Sequence, residues 1–193
     1  MGISDLFKDR GVGWKEGEKP KGWGENWDYT PEMHNYLERL RRFENDSRTG
    51  RDPKTGLWAP HDSLEGGTKT IGYGSKLSAD ELPEGMLLDD AEIEELFVKD
   101  AFNAYKVSYN KFTNRGYDWD KLTDSDKIIL TEIQYNTGNS GMTESAIKHL
   151  GAQDYHSLEE LIGTRGYTDP AGTFHPMVGR NEEILDTYIR PYK

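Results

Sequence analysis

The sequence predicts an α+β chain, a small β-hairpin lobe set into a mainly helical body, and three observations predict it. Thr70–Gly74 (Thr-Ile-Gly-Tyr-Gly) reads as a strand running from Lys69 to Tyr73, interrupted by two glycines that let another part of the chain approach closely. Before it, Met33, Tyr36, Leu37, Leu40 and Phe43 recur at helical spacing. After it, Ile93, Leu96, Phe97, Ala101, Ala104, Tyr105 and Phe112 keep that period over a longer stretch. A chain of 193 residues is by default one domain and is long enough to bury a substantial core.

Taken in order, residues 1–29 stand apart as an N-terminal extension, and residues 30–193 form the domain proper. Gly11–Trp27 mixes glycine, lysine, glutamate and Trp14, Trp23 and Trp27 without helical or strand periodicity. It reads either as a tail laid over the domain, its tryptophans covering apolar surface, or as a docking peptide for a partner. Thr30 is an N-cap and Pro31 sits at the first helical position, where its missing amide hydrogen costs nothing. Asn45–Pro60, rich in Arg, Asp, Gly and Pro, is a surface loop, and residues 55–77 hold the hairpin lobe. Thr123 caps the next helix, with Asp124 and Asp126 in the first turn where the helix dipole favours them. Ile128, Ile129, Ile133 and Tyr135 make that helix apolar on more than one face, so it belongs in the core. Shorter helices follow at Thr143–Leu150, Ser157–Ile162 and Arg180–Tyr188, and no internal repeat is visible.

Composition narrows the function. The net charge of −11 argues against a nucleic-acid partner, because phosphate binding needs a basic face. Arg39, Arg41, Arg42, Arg48, Arg51 and Lys54 form a local basic cluster; the simpler reading of the overall acidity is solubility. Cysteine is absent, which excludes disulfides and thiolate metal sites. His34, His61, His149, His156 and His175 show no metal-ligand spacing, so neither metal nor cofactor is expected. Gly72-Tyr-Gly74 lacks the third glycine of a dinucleotide loop, and no Gly-x-Ser-x-Gly elbow is present. No apolar run approaches membrane-spanning length, and Met1–Phe7 is too short and too acidic for a signal-anchor.

The candidate chemistry centres on Glu44. It lies four residues after Leu40 and seven after Leu37, continuing the apolar stripe. A carboxyl there is partly desolvated, which raises its pKa and suits it to general-acid work near neutral pH. The other reading is that the stripe has ended and Glu44 is a solvated residue at a frayed helix end.

Phe43-Glu44, then a loop with Asp62, then Thr70-Ile71-Gly72-Tyr73-Gly74 resembles the catalytic signature of the phage-type lysozymes, the muramidases of tailed phages. Leu130–Gly138 (Leu-Thr-Glu-Ile-Gln-Tyr-Asn-Thr-Gly) is similar to that family's buried central helix, and Gly179-Arg180-Asn181-Glu182-Glu183-Ile184-Leu185 to its late helix. The motifs occur in the family's order and span roughly residues 33–190. The resemblance implies a lysozyme-like fold with the cleft between the hairpin lobe and the helical lobe, a helix over residues 93–112 joining the two. It also implies cleavage of the β-1,4 bond between N-acetylmuramic acid and N-acetylglucosamine in bacterial peptidoglycan. Glu44 would then be the general acid, Asp62 the second carboxylate and Thr70 the residue that holds water.

Three features depart from the family. Ser75 stands where the family commonly has histidine, and the interval from Glu44 to Thr70 is longer. Asp62 also lies farther ahead of Thr70 than the family spacing places it, which leaves Ser63, Glu65 and His61 as alternative second residues. Two other activities of the fold stay open: a lytic transglycosylase, which keeps the acid and dispenses with the other two, and a non-catalytic virion protein. The implied setting is a monomer acting on peptidoglycan without membrane insertion, with residues 1–29 as a docking peptide for a virion or wall partner. It would wait in the host cytoplasm until lysis, with no signal peptide, or travel in the virion.

Overall fold

Thr30 begins the first helix, α1 (Pro31–Asn45): its Oγ1 accepts a hydrogen bond from the Met33 amide at 3.2 Å. The computed structural model describes residues 18–45, 48–63, 69–77, 85–138 and 141–192. The apolar stripe of α1 is buried as its spacing requires, Met33, Tyr36, Leu37 and Leu40 all lying in the core. Three short strands follow, β1 (His61–Asp62), β2 (Lys69–Ile71) and β3 (Ser75–Leu77), in one antiparallel sheet with β2 in the middle. Thr70 is opposite His61 on one side and Lys76 on the other; Ile71 is opposite Ser75.

Tyr73 is in the β2–β3 turn rather than on a strand. Gly72 and Gly74 both have positive φ, 63° and 88°, which reverses the chain within three residues and ends β2 at Ile71. Both glycines also sit against other parts of the chain. A Cβ at Gly72 would come within 2.5 Å of Ile93, and one at Gly74 within 3.2 Å of the Glu44 carboxylate. The Tyr73 ring turns inward between Trp58 and Phe97, at 5.7 and 5.4 Å between ring centres.

The long helix α2 (Asp90–Asn114) opens with a reciprocal cap in which Asp89 and Glu92 each accept the other's amide. The capping residues of α3 (Asp124–Thr137), Thr123 and Asp126, do the same. α3 packs against α1, α2, α4 (Gly141–Gly151) and α6 (Val178–Tyr188), so residues all round it are buried, Ile128, Ile129, Leu130, Glu132 and Ile133 completely. Between α5 (Tyr155–Gly163) and α6 lies a second hairpin, β4 (Gly166–Thr168) paired with β5 (Phe174–Pro176), which the periodicity did not signal. Its strands are three residues each, too short to display alternation, and Asp169 fixes the turn by accepting the Ala171 and Thr173 amides.

Residues 18–29 lie along α2. Trp23 packs against Phe102 and Tyr105, and Trp27 meets the ring of Tyr109 with 5.0 Å between centres. Lys19 Nζ ties the segment together by donating to the carbonyls of Glu25 and Trp27. These two tryptophans therefore cover an aromatic face of α2, whereas Trp14 lies outside the described residues. Among the described residues no helix is long and apolar enough to cross a membrane.

Ile71, fully buried in the core, marks where the small sheet is anchored to the helical body. Ile71→Ala is expected to cost about 2–5 kcal/mol, the range for emptying a buried aliphatic site. Chemical denaturation reads it directly; a change below about 0.5 kcal/mol would mean that the sheet is not anchored there.

Candidate active site

α1 ends at a point fixed by its last residue. Asn45 Nδ2 donates to the Gly72 carbonyl at 2.7 Å and to the Thr49 carbonyl at 3.0 Å, while its Oδ1 accepts the Thr49 amide. This clasp holds the β2–β3 turn against the end of α1 and brings Gly74 to Glu44. Ser75 is fixed in turn: its hydroxyl donates to Asp100 Oδ2 on α2 at 2.6 Å. Ser75 therefore joins β3 to α2 through a neutral donor.

The Glu44 side chain is 18% exposed, enough for one edge to be reached from solvent. Its Oε1 accepts from Arg180 Nη1 at 2.7 Å, and its Oε2 faces Gly74. Burial pushes this carboxyl above the ordinary glutamate range; the Arg180 guanidinium pulls the other way without cancelling the effect, and Glu132 adds a smaller push upward. Of the two readings open from periodicity, the structure shows the desolvated one.

Arg180, on α6, is shared. Its Nε donates to Glu132 Oε1 at 2.7 Å and its Nη2 to Glu132 Oε2 at 3.2 Å, leaving Nη1 for Glu44. The Phe43 ring lies 5.1 Å from the guanidinium carbon. Glu132 is completely buried in α3 and also accepts from Arg165 at 2.8 Å, Tyr36 at 3.1 Å and Asn136 at 2.9 Å. Burial alone would raise its pKa; the guanidiniums of Arg180 and Arg165 outweigh that and hold it at about 2. Tyr135 closes the other side, its hydroxyl 3.3 Å from the Tyr73 carbonyl. Burial, then Glu44 and Asp100, drive that phenol well above its usual range.

The sequence-predicted residues divide. Glu44 is at the centre of this arrangement. Thr70 is buried at the middle of β2, 5% exposed, beside Ile71. Asp62 is at the outer edge of the sheet, its side chain 85% exposed and paired with Lys69 at 2.7 Å. Lys69 holds the Asp62 carboxyl below the usual range. Ser63 is half-buried, His61 packs against Gly50, and Glu65 lies outside the described residues. The basic cluster is largely neutralised: Arg41 bonds Glu94 and Glu38, Arg42 and Arg39 pair with Glu183, and Arg51 is bidentate to Asp90. Among the described residues no group of His, Asp and Glu side chains gathers as a metal site would require.

Periodicity missed Glu132 and Arg165 as part of the site. One signal pointed to them: Glu132 stands between Leu130 and Ile133 on a helix predicted to be core, and a buried charge there must have a cationic partner. Which cation supplies it depends on α6 and β4, far along the chain.

No family model, no curated protein and no solved structure matches this chain.

Proposed function

We propose that the chain is a peptidoglycan hydrolase of lysozyme-like fold, a muramidase that cleaves the β-1,4 bond between N-acetylmuramic acid and N-acetylglucosamine. The observation that carries this reading is Glu44: a carboxyl with weakened acidity at the end of α1, one oxygen on Arg180 and the other beside the glycine turn of the hairpin. A carboxyl whose proton affinity is raised by burial is what donation to a glycosidic leaving oxygen calls for. In this reading Glu44 protonates the leaving oxygen, Asp62 supports positive charge at the anomeric carbon or orients water, and Thr70 holds that water. No metal or organic cofactor takes part, and the setting is a phage endolysin or a virion-carried lysin.

The exposure of Asp62 favours a second reading, lytic transglycosylase action, in which the sugar's own hydroxyl displaces the leaving group and only the acid is essential. Purified walls digested with the protein separate the two. Hydrolysis releases muropeptides with reducing ends, transglycosylation releases anhydro ends, and mass spectrometry distinguishes them. Walls left intact in turbidity and zymogram assays would exclude both.

Asp62→Asn tests the second carboxylate. Its side chain is solvated, so the melting temperature should be unchanged. If Asp62 serves the hydrolase, the lytic rate falls strongly without a change in wall binding, because a charge developed for the transition state is lost. An unaltered rate removes Asp62 from the mechanism. Thr70→Val gives the corresponding test on β2: lost activity with a preserved melting temperature fits a water-holding hydroxyl, and preserved activity excludes it.

A further inference from the structure

Arg180 has one guanidinium and two carboxylates to serve, and their shares are unequal. Glu132 takes two of its nitrogens and Glu44 one. We infer that Glu132 is a positioning residue for the acid: by engaging two nitrogens of Arg180 from the buried side, it limits the hold of the guanidinium on Glu44 to a single contact. This rests on the reading of Glu44 as the general acid.

The groups that face Glu44 come from three elements. Arg180 belongs to α6, Glu132 and Tyr135 to α3, and Arg165 stands just before β4; the hairpin turn presents Gly74. A lone arginine bonded to Glu44 through a fork would keep that carboxyl ionised at neutral pH, since an adjacent opposite charge favours the charged form. Here the fork is turned to Glu132, which is itself shared with Arg165. The second arginine gives the buried anion a partner beyond Arg180, so the cluster stays in place whichever way Glu44 titrates. Arg165 is 2% exposed, and its Nε and Nη1 have no hydrogen-bond partner. Two buried donors are thus left unsatisfied to maintain one ion pair.

The expected signature is a pair of shifts of opposite sign. In Glu132→Gln/Arg165→Met one anion and one cation are lost together, so the net charge is conserved, Arg180 is released to Glu44, and the Glu44 carboxyl becomes the stronger acid. In Arg165→Met alone, Glu132 belongs wholly to Arg180, a cation is lost and Glu44 becomes the weaker acid. Carbon-13 NMR titration of the glutamate side chains, with the Glu44 signal identified by its absence in Glu44→Gln, reads the midpoints without relying on catalysis. The double variant should lower the Glu44 midpoint by about one pH unit, equivalent to about a tenfold change in its proton affinity. The alkaline limb of the lysis profile should move with it. Arg165→Met should move both upward, and it provides the test if the double variant does not fold. Unchanged midpoints, or a rise in the double variant, overturn the inference. Midpoints that shift as stated in a protein that leaves walls intact uphold the coupling and overturn the muramidase reading instead.

Discussion

Glu44→Gln should reduce wall lysis by about 10²–10⁴-fold, the typical contribution of a positioned general acid, with an unchanged circular dichroism spectrum. Glutamine keeps the shape and still offers an oxygen to Arg180, but it delivers no proton at neutral pH. The fold has no reason to suffer, because Arg180 retains both of its bonds to Glu132. Burial disfavours the ionised form of Glu44, so a neutral side chain there should melt at the same temperature as the wild type or above it. The wild-type lysis rate should decline as pH rises through the elevated Glu44 titration, since the ionised carboxyl has no proton to give. Turbidity loss on purified walls measures the lysis, and circular dichroism with thermal melting measures the fold. Lysis by the variant within a few fold of wild type would falsify the assignment.

The second large effect is on stability. Glu132→Ala should destabilise the fold by about 3–5 kcal/mol, because it takes the anion from the buried Arg165 guanidinium and leaves Arg180 with Glu44 alone. The comparison that isolates the cause is Glu132→Ala/Arg165→Met, which removes one cation along with the anion and should recover part of the loss. A single variant as stable as wild type in urea would show that Arg165 and Arg180 find other partners.

The same carboxylate predicts a pH dependence. Its folded pKa, about 2, lies below the ordinary value of 4.5. The native state therefore binds fewer protons than the unfolded chain across that interval, and stability falls as pH drops. The contribution of Glu132 is fully present above about pH 4.5 and is lost progressively as pH falls toward 2. Urea midpoints at a series of pH values should show this fall in the wild type and a weaker one in Glu132→Ala/Arg165→Met.

Much of the fold was legible because its cues are local. The cap at Thr30, the stripe from Met33 to Leu40 and the cap at Thr123 involve residues within a turn or two of one another, and all three are realised. The glycines of Thr70–Gly74 announced close approach, and they sit against Ile93 and Glu44. The β4–β5 hairpin left no trace in the periodicity, because three residues per strand cannot display an alternating face. Tyr73 was misplaced onto a strand for a related reason: an aromatic between two glycines has the composition of a strand, and only the positive φ values make it a turn.

By itself, then, the sequence determined the apolar stripe of α1 and which carboxyl follows it, since helical spacing places Glu44 four residues after Leu40 and seven after Leu37. Only the tertiary structure decided what that carboxyl meets. Asn45 draws the glycine turn to it, α6 brings Arg180, and α3 supplies Glu132 as the competing anion. Proton affinity is set by burial and by charges within a few ångströms. Those neighbours come from segments separated by nearly the whole length of the domain, so no local pattern encodes them.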